Sequence, residues 1–360
     1  MKCVFTRRVA GAALMCLTIL PVSGFAQGDP NPPSEAKQTI FGAEVSPPNF
    51  PNSTADEWIG ALASISTIGG HASYMWKWSE VDSFTGWSWL VGVGRSKGLK
   101  VLFQINSTVV HDPVAPQGFA NSFGNQATRA RFLADVRRVA LLEPDYLVLS
   151  TEVNFLYRFN RPEFEHFRTL YAEAYAVAKA TSPNTKVGVS HHFTLWYVQR
   201  TYEGVDTPAM FSPSDFVAFT TYPEDLFEHG LYTSIAGIPA DWYGKARVAY
   251  PDAHIIFSEV GFSSKPPFSS LELQAEFMRE LPRLMSIAKP ELITWALFTD
   301  VDVFQRSMLT EEMIAFLESQ GVNIDQLFSW FNGLGLLDAA GASKPAFPAA
   351  AGMVFPTPTP

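Results

Sequence analysis

A single (β/α)8 barrel is the fold class that the sequence predicts, and three observations support it. The chain has 360 residues, of which 47% are hydrophobic and 17% charged, which is enough for one large core. Short apolar segments rich in β-branched and aromatic residues recur along the chain, and segments with helical periodicity lie between them. Eight such strands favour a barrel over a doubly wound open sheet, which normally has fewer. We place this barrel, as one domain, at residues 40–347.

The eight predicted strands are mostly apolar on both faces, as expected of parallel strands that are covered on both sides. In chain order they are FGAEVS (41–46), HASYMWKW (71–78), LKVLFQIN (99–106), DYLVLSTE (145–152), KVGVSHHF (186–193), DFVAFTTY (215–222), HIIFSEVG (254–261) and LITWALFT (292–299). Between them, apolar residues at helical spacing run from Phe132 to Ala140 and from Phe164 to Ala178. Pro162 is suitably placed to begin the second of these helices.

The first residues, 1–26, have the order of a secretory signal peptide. Lys2, Arg7 and Arg8 precede an apolar run, and small residues allow a cut after Ala26. The apolar run is too short to span a membrane comfortably, which argues against a membrane anchor. We therefore expect a secreted or periplasmic protein.

The segments on either side of the predicted barrel, after the signal peptide, are expected to contribute little to the hydrophobic core. Residues 27–39 read as a Pro-rich leader and residues 348–360 as a tail. Both cysteines, Cys3 and Cys16, lie in the predicted signal peptide, so the mature protein would have no disulfide. A lipoprotein cut at Cys16 is disfavoured because Met15 stands where a small residue is expected.

The charge balance excludes some partners. The chain has 26 basic and 35 acidic residues, a net charge of −9, which argues against nucleic acid. No second apolar segment reaches membrane length, so we expect no membrane association after signal cleavage. We also expect a monomer. Aromatic residues make up 14% of the chain and suit either sugar faces or core packing.

Two acids end predicted strands, Glu152 on the fourth and Glu259 on the seventh. The carboxyl ends of barrel strands carry the active site, so these carboxyl groups would meet at one mouth. Taken singly, each could be a structural acid paired with a basic neighbour. As a pair, they match retaining glycoside hydrolysis, which uses two carboxyl groups about 5–5.5 Å apart.

Short motifs strengthen this interpretation. FGAEVS, STEVN and TTYP are similar to the first-strand Gly-Ala-Asp-Val-Ser, the fourth-strand Asn-Glu and the sixth-strand Ser-Tyr-Tyr-Pro segments of arabinogalactan endo-β-1,4-galactanases. SEVGFSS, WALFTD and the closing GLGLLDAAGASKPAF also resemble the larger clan of retaining (β/α)8 glycosidases. The resemblance covers roughly residues 40 to 347, with motifs that are specific only in combination.

The resemblance implies roles for several residues. Glu152 would be the acid/base, Glu259 the nucleophile, Tyr222 a neighbour of the nucleophile and Trp295 the floor of the adjacent sugar subsite. Two substrate-binding positions depart from the pattern. Thr151 replaces the Asn that binds the sugar 2-hydroxyl, and Glu44 replaces an Asp of the galactanases.

Other strand-end residues have two interpretations each. His191 or its neighbour His192 would face the mouth and bind substrate, or satisfy a backbone carbonyl. Trp76 would stack on sugar or pack under a loop. Asn106 would bind substrate or cap its loop.

We expect neither metal nor cofactor. The chain has no HExxH or CxxC motif, and the adjacent histidines would point to opposite faces. GVGRSKG (92–98) has the wrong spacing and position for a dinucleotide loop.

Three functions remain open at this level. The first is a retaining β-glycosidase for a neutral polysaccharide or oligosaccharide, with galactanase-like endo activity ahead of mannan or β-glucan cleavage. The second is a barrel that binds carbohydrate without catalysis, suggested by Thr151. The third is barrel chemistry unrelated to sugars, because a fold does not fix a function. The presence of both acids favours the enzyme.

Overall fold

A ring of parallel strands forms the centre of the protein in the computed structural model, which describes residues 38–80, 84–228, 231–266, 269–302 and 309–355. The strands are β1 (Ile40–Glu44), β2 (His71–Lys77), β3 (Lys100–Asn106), β4 (Tyr146–Val148), β5 (Lys186–Gly188 and Ser190–His192), β6 (Val217–Thr221), β7 (Ile255–Val260) and β8 (Leu292–Trp295). Each predicted strand corresponds to one of them. The predicted (β/α)8 barrel is therefore confirmed.

The ring closes through β1 and β5. β1 pairs with both β2 and β8. β5 is interrupted at Val189; its first segment pairs with β4 and its second with β6. Backbone hydrogen bonds from Leu149 to Gly188 and from Ser190 to Ser150 continue the ladder across this interruption. Because the strands are parallel, their carboxyl ends all meet at one mouth of the barrel.

Helices surround the ring and fill the connections. They are α1 (Ala55–Ile68), α2 (Phe84–Ser96), α3 (Gln126–Ala140), α4 (Val153–Phe159), α5 (Arg161–Thr181), α6 (Phe193–Tyr202), α7 (Glu224–Glu228), α8 (Gly244–Ala249), α9 (Leu271–Met285), α10 (Glu311–Ser319), α11 (Ile324–Phe331) and α12 (Ala346–Ala351). The two predicted apolar faces belong to α3 and α5. The loop after β3 also contains a short hairpin, Thr108–Val109 with Asp112–Pro113.

Alternate residues of the strands face inward and outward. The inward side chains at the closed end of the barrel form a separate apolar cluster: Leu102, Tyr146, Val148, Phe216, Ala218, Ile256 and Leu292. The outward side chains join the helices in the main core. This alternation decides which strand-end residues reach the mouth.

The C-terminal segment is fixed to the barrel by a buried ion pair. Lys344 Nζ lies 2.5 Å from Asp300 Oδ1, and both side chains are almost completely buried. Beyond it, the predicted tail at 348–360 begins inside α12, and Phe355 packs on Phe41 with ring centroids 6.4 Å apart. The predicted boundary at residue 347 thus falls inside α12, and Ala350 and Phe355 of the predicted tail are buried.

The predicted signal peptide, residues 1–26, and the leader up to residue 37 lie outside the described residues. Within the described ranges, no helix is long and apolar enough to cross a membrane.

Candidate active site at the barrel mouth

Glu259 lies on β7 at a β-bulge. The pairing of β7 with β6 shifts between Phe257 and Glu259, so that Ser258 is the extra residue and Glu259 pairs with Thr220. Simple alternation from the inward Ile256 would have turned Glu259 toward the helices. The bulge instead gives Glu259 the inward face that it shares with Thr220.

Glu152 stands between β4 and α4 with a left-handed backbone, φ 51° and ψ 39°. Residues other than glycine rarely adopt this conformation. Its backbone N–H donates to Ser190 Oγ at 3.3 Å, and its carboxyl Oε1 accepts from Thr220 Oγ1 at 2.6 Å. The side chain therefore reaches past β5 to β6.

Thr220 brings the two acids together. It is the register partner of Glu259 on one side and the hydrogen-bond donor to Glu152 on the other. The charge of Glu152 also acts on Glu259 and raises its pKa. The two carboxyl groups, 107 residues apart in sequence, thus belong to one site.

Tyr222 follows β6 and donates its hydroxyl hydrogen to Glu259 Oε2 at 2.6 Å. Its ring packs edge-on against Trp330 of α11, with centroids 5.0 Å apart. The structure therefore places Tyr222 beside Glu259, as the motif implies. The bond favours the ionised form of Glu259 and lowers its pKa, against the effect of burial.

Glu44 at the end of β1 is a third acid at this mouth. It pairs in register with Ser73, and its negative charge raises the pKa values of both Glu259 and Tyr222. Burial raises the pKa of Glu44 to about 7. Among the described residues, no group donates a hydrogen bond to its carboxyl.

Glu152 and Glu44 both influence the protonation of Glu259. Burial raises the pKa of Glu152 to about 7, although the Thr220 hydroxyl acts in the other direction. The pKa of Glu259 is raised well above its usual range by burial and by the charges of Glu152 and Glu44. The effects of these two charges vanish when Glu152 and Glu44 hold protons. The hydrogen bond from Tyr222, which lowers the Glu259 pKa, then opposes burial alone. Glu259 therefore ionises more readily once Glu152 and Glu44 are protonated.

Thr151 and Asn106 lie side by side at the mouth. The Thr151 hydroxyl donates to Asn106 Oδ1 at 3.3 Å. Asn106 has the same inward phase on β3 as Gln104, whose amide donates to Ser73 Oγ at 3.1 Å inside the barrel. The structure thus brings these two predicted binding residues together, and Thr151 directly precedes Glu152 in the chain.

Trp76 and Trp295 do not reach the mouth, so their prediction as sugar-binding residues needs correction. Both are fully buried. The Trp295 side chain points outward from β8, and its ring centroid lies 6.2 Å from that of Phe277 on α9. Its indole N–H donates to Leu334 O. Trp76 has the outward phase of β2 and donates to Glu80 O at 3.2 Å. Because successive side chains of a strand point to opposite faces, both indoles face the surrounding helices and not the barrel interior.

His191 is also turned away from the mouth, and its prediction as a binding residue needs the same correction. It pairs in register with the outward Phe219 and packs against Phe211, with ring centroids 5.8 Å apart. His192 pairs instead with the inward Thr220. Its Nδ1 accepts the N–H of Leu195 at the start of α6. His192 is thus the member of the pair on the inner face.

Thr220 and Trp330 are the site residues that sequence reasoning missed. Thr220 lies two residues before Tyr222, so period-two alternation would have identified it once Tyr222 was selected. Trp330 lies on a helix between β8 and α12 and has no motif around it. Within the described ranges, no group of three or more His, Cys, Asp or Glu side chains could hold a metal ion.

No model of a known protein family and no curated protein matches this chain. Solved structures do resemble it. A GH5_18 protein from Streptomyces cattleya in complex with Manβ1-4GlcNAc has a TM-score of 0.67 and 16% identity over 89% of this chain and 83% of the other. An exo-β-1,4-mannosidase from Opitutaceae bacterium strain TAV5 has a TM-score of 0.64 and 13% identity, covering 88% and 59%.

The GH53 catalytic domain from Ignisphaera aggregans has a TM-score of 0.60 and 13% identity, covering 91% of this chain and 98% of the other. At these identities the likeness concerns the fold. The galactanase-like resemblance suggested by the motifs is one of several that the fold supports, alongside GH5 proteins.

Proposed function

We propose that the protein is a retaining β-glycosidase that hydrolyses a neutral β-linked oligosaccharide or polysaccharide. One observation carries the proposal: Thr220 is the register partner of Glu259 and donates a hydrogen bond to Glu152. Two acids held together in this way, one on β7 and one after β4, are the pair that double displacement requires. Glu44 adds a third acid, which disfavours acidic sugars.

In this mechanism Glu259, as carboxylate, attacks the anomeric carbon while Glu152, as carboxylic acid, gives its proton to the leaving oxygen. The glycosidic C–O bond breaks, and a glycosyl ester with Glu259 forms. Glu152, now ionised, removes a proton from water, whose oxygen attacks the anomeric carbon and releases Glu259. The raised pKa of Glu152, about 7, suits a group that must donate near neutral pH.

Tyr222 and Glu44 prepare the nucleophile. The Tyr222 hydroxyl holds Glu259 Oε2 and leaves the other oxygen for attack. Burial and the charges of Glu152 and Glu44 raise the Glu259 pKa, so protonation of Glu44, or its bonding to sugar hydroxyls, would favour the ionised nucleophile.

The sugar is the finer part of the proposal. β-Mannosides come first, because one structural relative holds Manβ1-4GlcNAc and another is an exo-β-1,4-mannosidase. β-Galactan follows from the motif resemblance, and β-glucan is third. Export to the periplasm or outside the cell, and a monomeric state, remain predictions from the sequence.

A catalytically silent carbohydrate-binding barrel is the second candidate, and Thr151 is the observation that favours it. Its hydroxyl is bound to Asn106 Oδ1, so it offers less to a sugar hydroxyl than an Asn would. Asn106 Nδ2 nevertheless brings an amide donor to the same place. This candidate predicts saturable glycan binding without product.

The deciding experiment incubates the mature protein with mannan, galactan, β-glucan and their oligosaccharides and follows the product anomers by proton NMR in the first minutes. The proposal expects the β-anomer first from the wild type and no product from Glu259→Gln. Glu152→Gln should be slow on natural linkages but close to normal on substrates with activated leaving groups. Glu272→Gln, an exposed acid at the start of α9, is the matched control. Equal turnover by Glu259→Gln would overturn the proposal.

A further inference from the structure

The connection after β8 contains an arm made of α10 and α11, residues 311–331. Its two helices share a small apolar core of their own: Ile314, Leu317, Val322, Ile324, Leu327 and Phe328. Beyond α11, the chain returns to the barrel wall, where Leu336 N–H donates to Phe298 O. The arm is thus a packed unit attached at the β8 side of the mouth.

The far end of the arm touches the opposite rim. The Phe316 ring lies 4.2 Å from the His111 ring and 5.2 Å from the Phe159 ring, measured between centroids. Val110 packs on the apolar core of the arm. Val110 and His111 follow β3, and Phe159 ends α4, which follows β4. Because β4 stands opposite β8 in a ring of eight strands, the arm extends from one rim to the other.

The near end of the arm lies beside the nucleophile. Trp330 packs on Tyr222, which hydrogen-bonds Glu259, and donates its indole N–H to Glu224 Oε1 at 3.1 Å. Its backbone carbonyl accepts from Ser263 Oγ at 2.9 Å, in the loop after β7. The arm therefore lines the side of the mouth where a sugar bonded to Glu259 would lie.

We propose that the arm closes the non-reducing side of the substrate groove, so that the enzyme removes one sugar unit at a time from chain ends. This inference rests on the proposed glycosidase and specifies how it acts. Attack inside a chain needs a groove that is open at both ends. Here Trp330 and the Phe316 contact to His111 and Phe159 form a wall from β7 and β8 to β3 and β4. Because Trp330 packs on Tyr222 beside Glu259, the unit that precedes a sugar bonded to Glu259 would meet this wall.

The test uses hexasaccharides of the β-manno, β-galacto and β-gluco series, labelled at the reducing end and digested by the wild type. Chain-end attack releases unlabelled monosaccharide from the first time point and shortens the labelled product by one unit at a time. Phe316→Ala loosens the arm, and Phe316→Leu, which keeps an apolar contact, is its control. In the alanine variant alone, the share of longer unlabelled products should rise about tenfold, the scale expected for losing aromatic pairs. Turnover of a nitrophenyl monosaccharide is measured in parallel for the wild type and both variants, so that product patterns are compared per amount of active enzyme.

Each outcome decides the inference. Stepwise shortening by the wild type, with longer products from Phe316→Ala alone, supports it. Internal cleavage by the wild type overturns the chain-end inference and leaves the glycosidase intact. Stepwise shortening by both proteins overturns the role of the arm. No product from any series overturns the proposed function and the inference with it.

Discussion

Replacing Glu44 by Gln should stabilise the fold in a pH-dependent way. The pKa of Glu44 is raised from 4.5 to about 7 by burial, so the folded protein holds this proton over a range in which the unfolded chain releases it. The unfavourable contribution therefore begins above pH 4.5 and is complete above pH 7. The difference between these two pKa values corresponds to roughly 3 kcal/mol at pH 8. Gln cannot ionise, and the variant escapes this cost.

The assay is urea unfolding of the wild type and Glu44→Gln at pH 5 and pH 8. We expect the advantage of the variant to grow by about 2–3 kcal/mol between the two pH values. Any packing effect of the amide is the same at both, so the difference isolates ionisation. Removing the Glu44 charge also lowers the Glu259 pKa, which acts in the same direction.

A control acid separates this effect from a general loss of negative charge. The exposed Glu165 has a lowered pKa because Arg168 and Arg161 bind it. Glu165→Gln should therefore gain no stability between pH 5 and pH 8. If Glu44→Gln gains equally at both pH values, or not at all, the Glu44 carboxyl is not the desolvated acid that the geometry indicates.

Two further outcomes follow from individual bonds. Tyr222→Phe removes the donor that favours ionised Glu259, so kcat/KM should fall about tenfold or more and the acid limb of the pH profile should move upward; an unmoved limb would show that Tyr222 does not act on Glu259. Lys344→Met leaves Asp300 buried without its cation and should cost about 3–5 kcal/mol in thermal or urea unfolding, with much of it recovered by adding Asp300→Asn. Lys245→Met, at a more exposed pair, is the control and should cost less than about 1 kcal/mol; equal costs for the two lysines would contradict the argument.

The strands were predictable because burial on both faces leaves a simple mark in the sequence. Apolar runs such as DYLVLSTE and HIIFSEVG have no polar face, and parallel strands in a barrel require none. The interruption of β5 at Val189 leaves no comparable mark, because Val189 continues the apolar residues Val187 and Gly188 without a break in the sequence pattern. Pairing with two different neighbours separates its two segments, and such pairing is a property of the whole ring.

Side-chain direction was less predictable than strand position. Trp76, Trp295 and His191 have the chemistry of sugar-binding residues, and each stands near the carboxyl end of a strand. All three have the outward phase and are buried against the helix layer. Alternation fixes relative phase within a strand, but the absolute phase depends on which residues meet in the barrel interior.

The side-chain directions of Glu152 and Glu259 could not be predicted from strand periodicity either. Both occupy irregular backbone: Glu152 is left-handed, a conformation that costs a non-glycine residue about 1–3 kcal/mol, and Glu259 follows a bulged residue. Regular alternation would have turned Glu259 away from the mouth, so periodicity alone argues against the role that the motif suggests. Irregular backbone is retained where the surrounding contacts hold it. Here the Glu152 carboxyl accepts a hydrogen bond from Thr220, and the bulge places Glu259 in register with the same residue. That two independent departures from regular geometry meet at one threonine is the strongest structural reason to regard Glu152 and Glu259 as a working pair, since two unrelated strand-end acids would have no cause to do so.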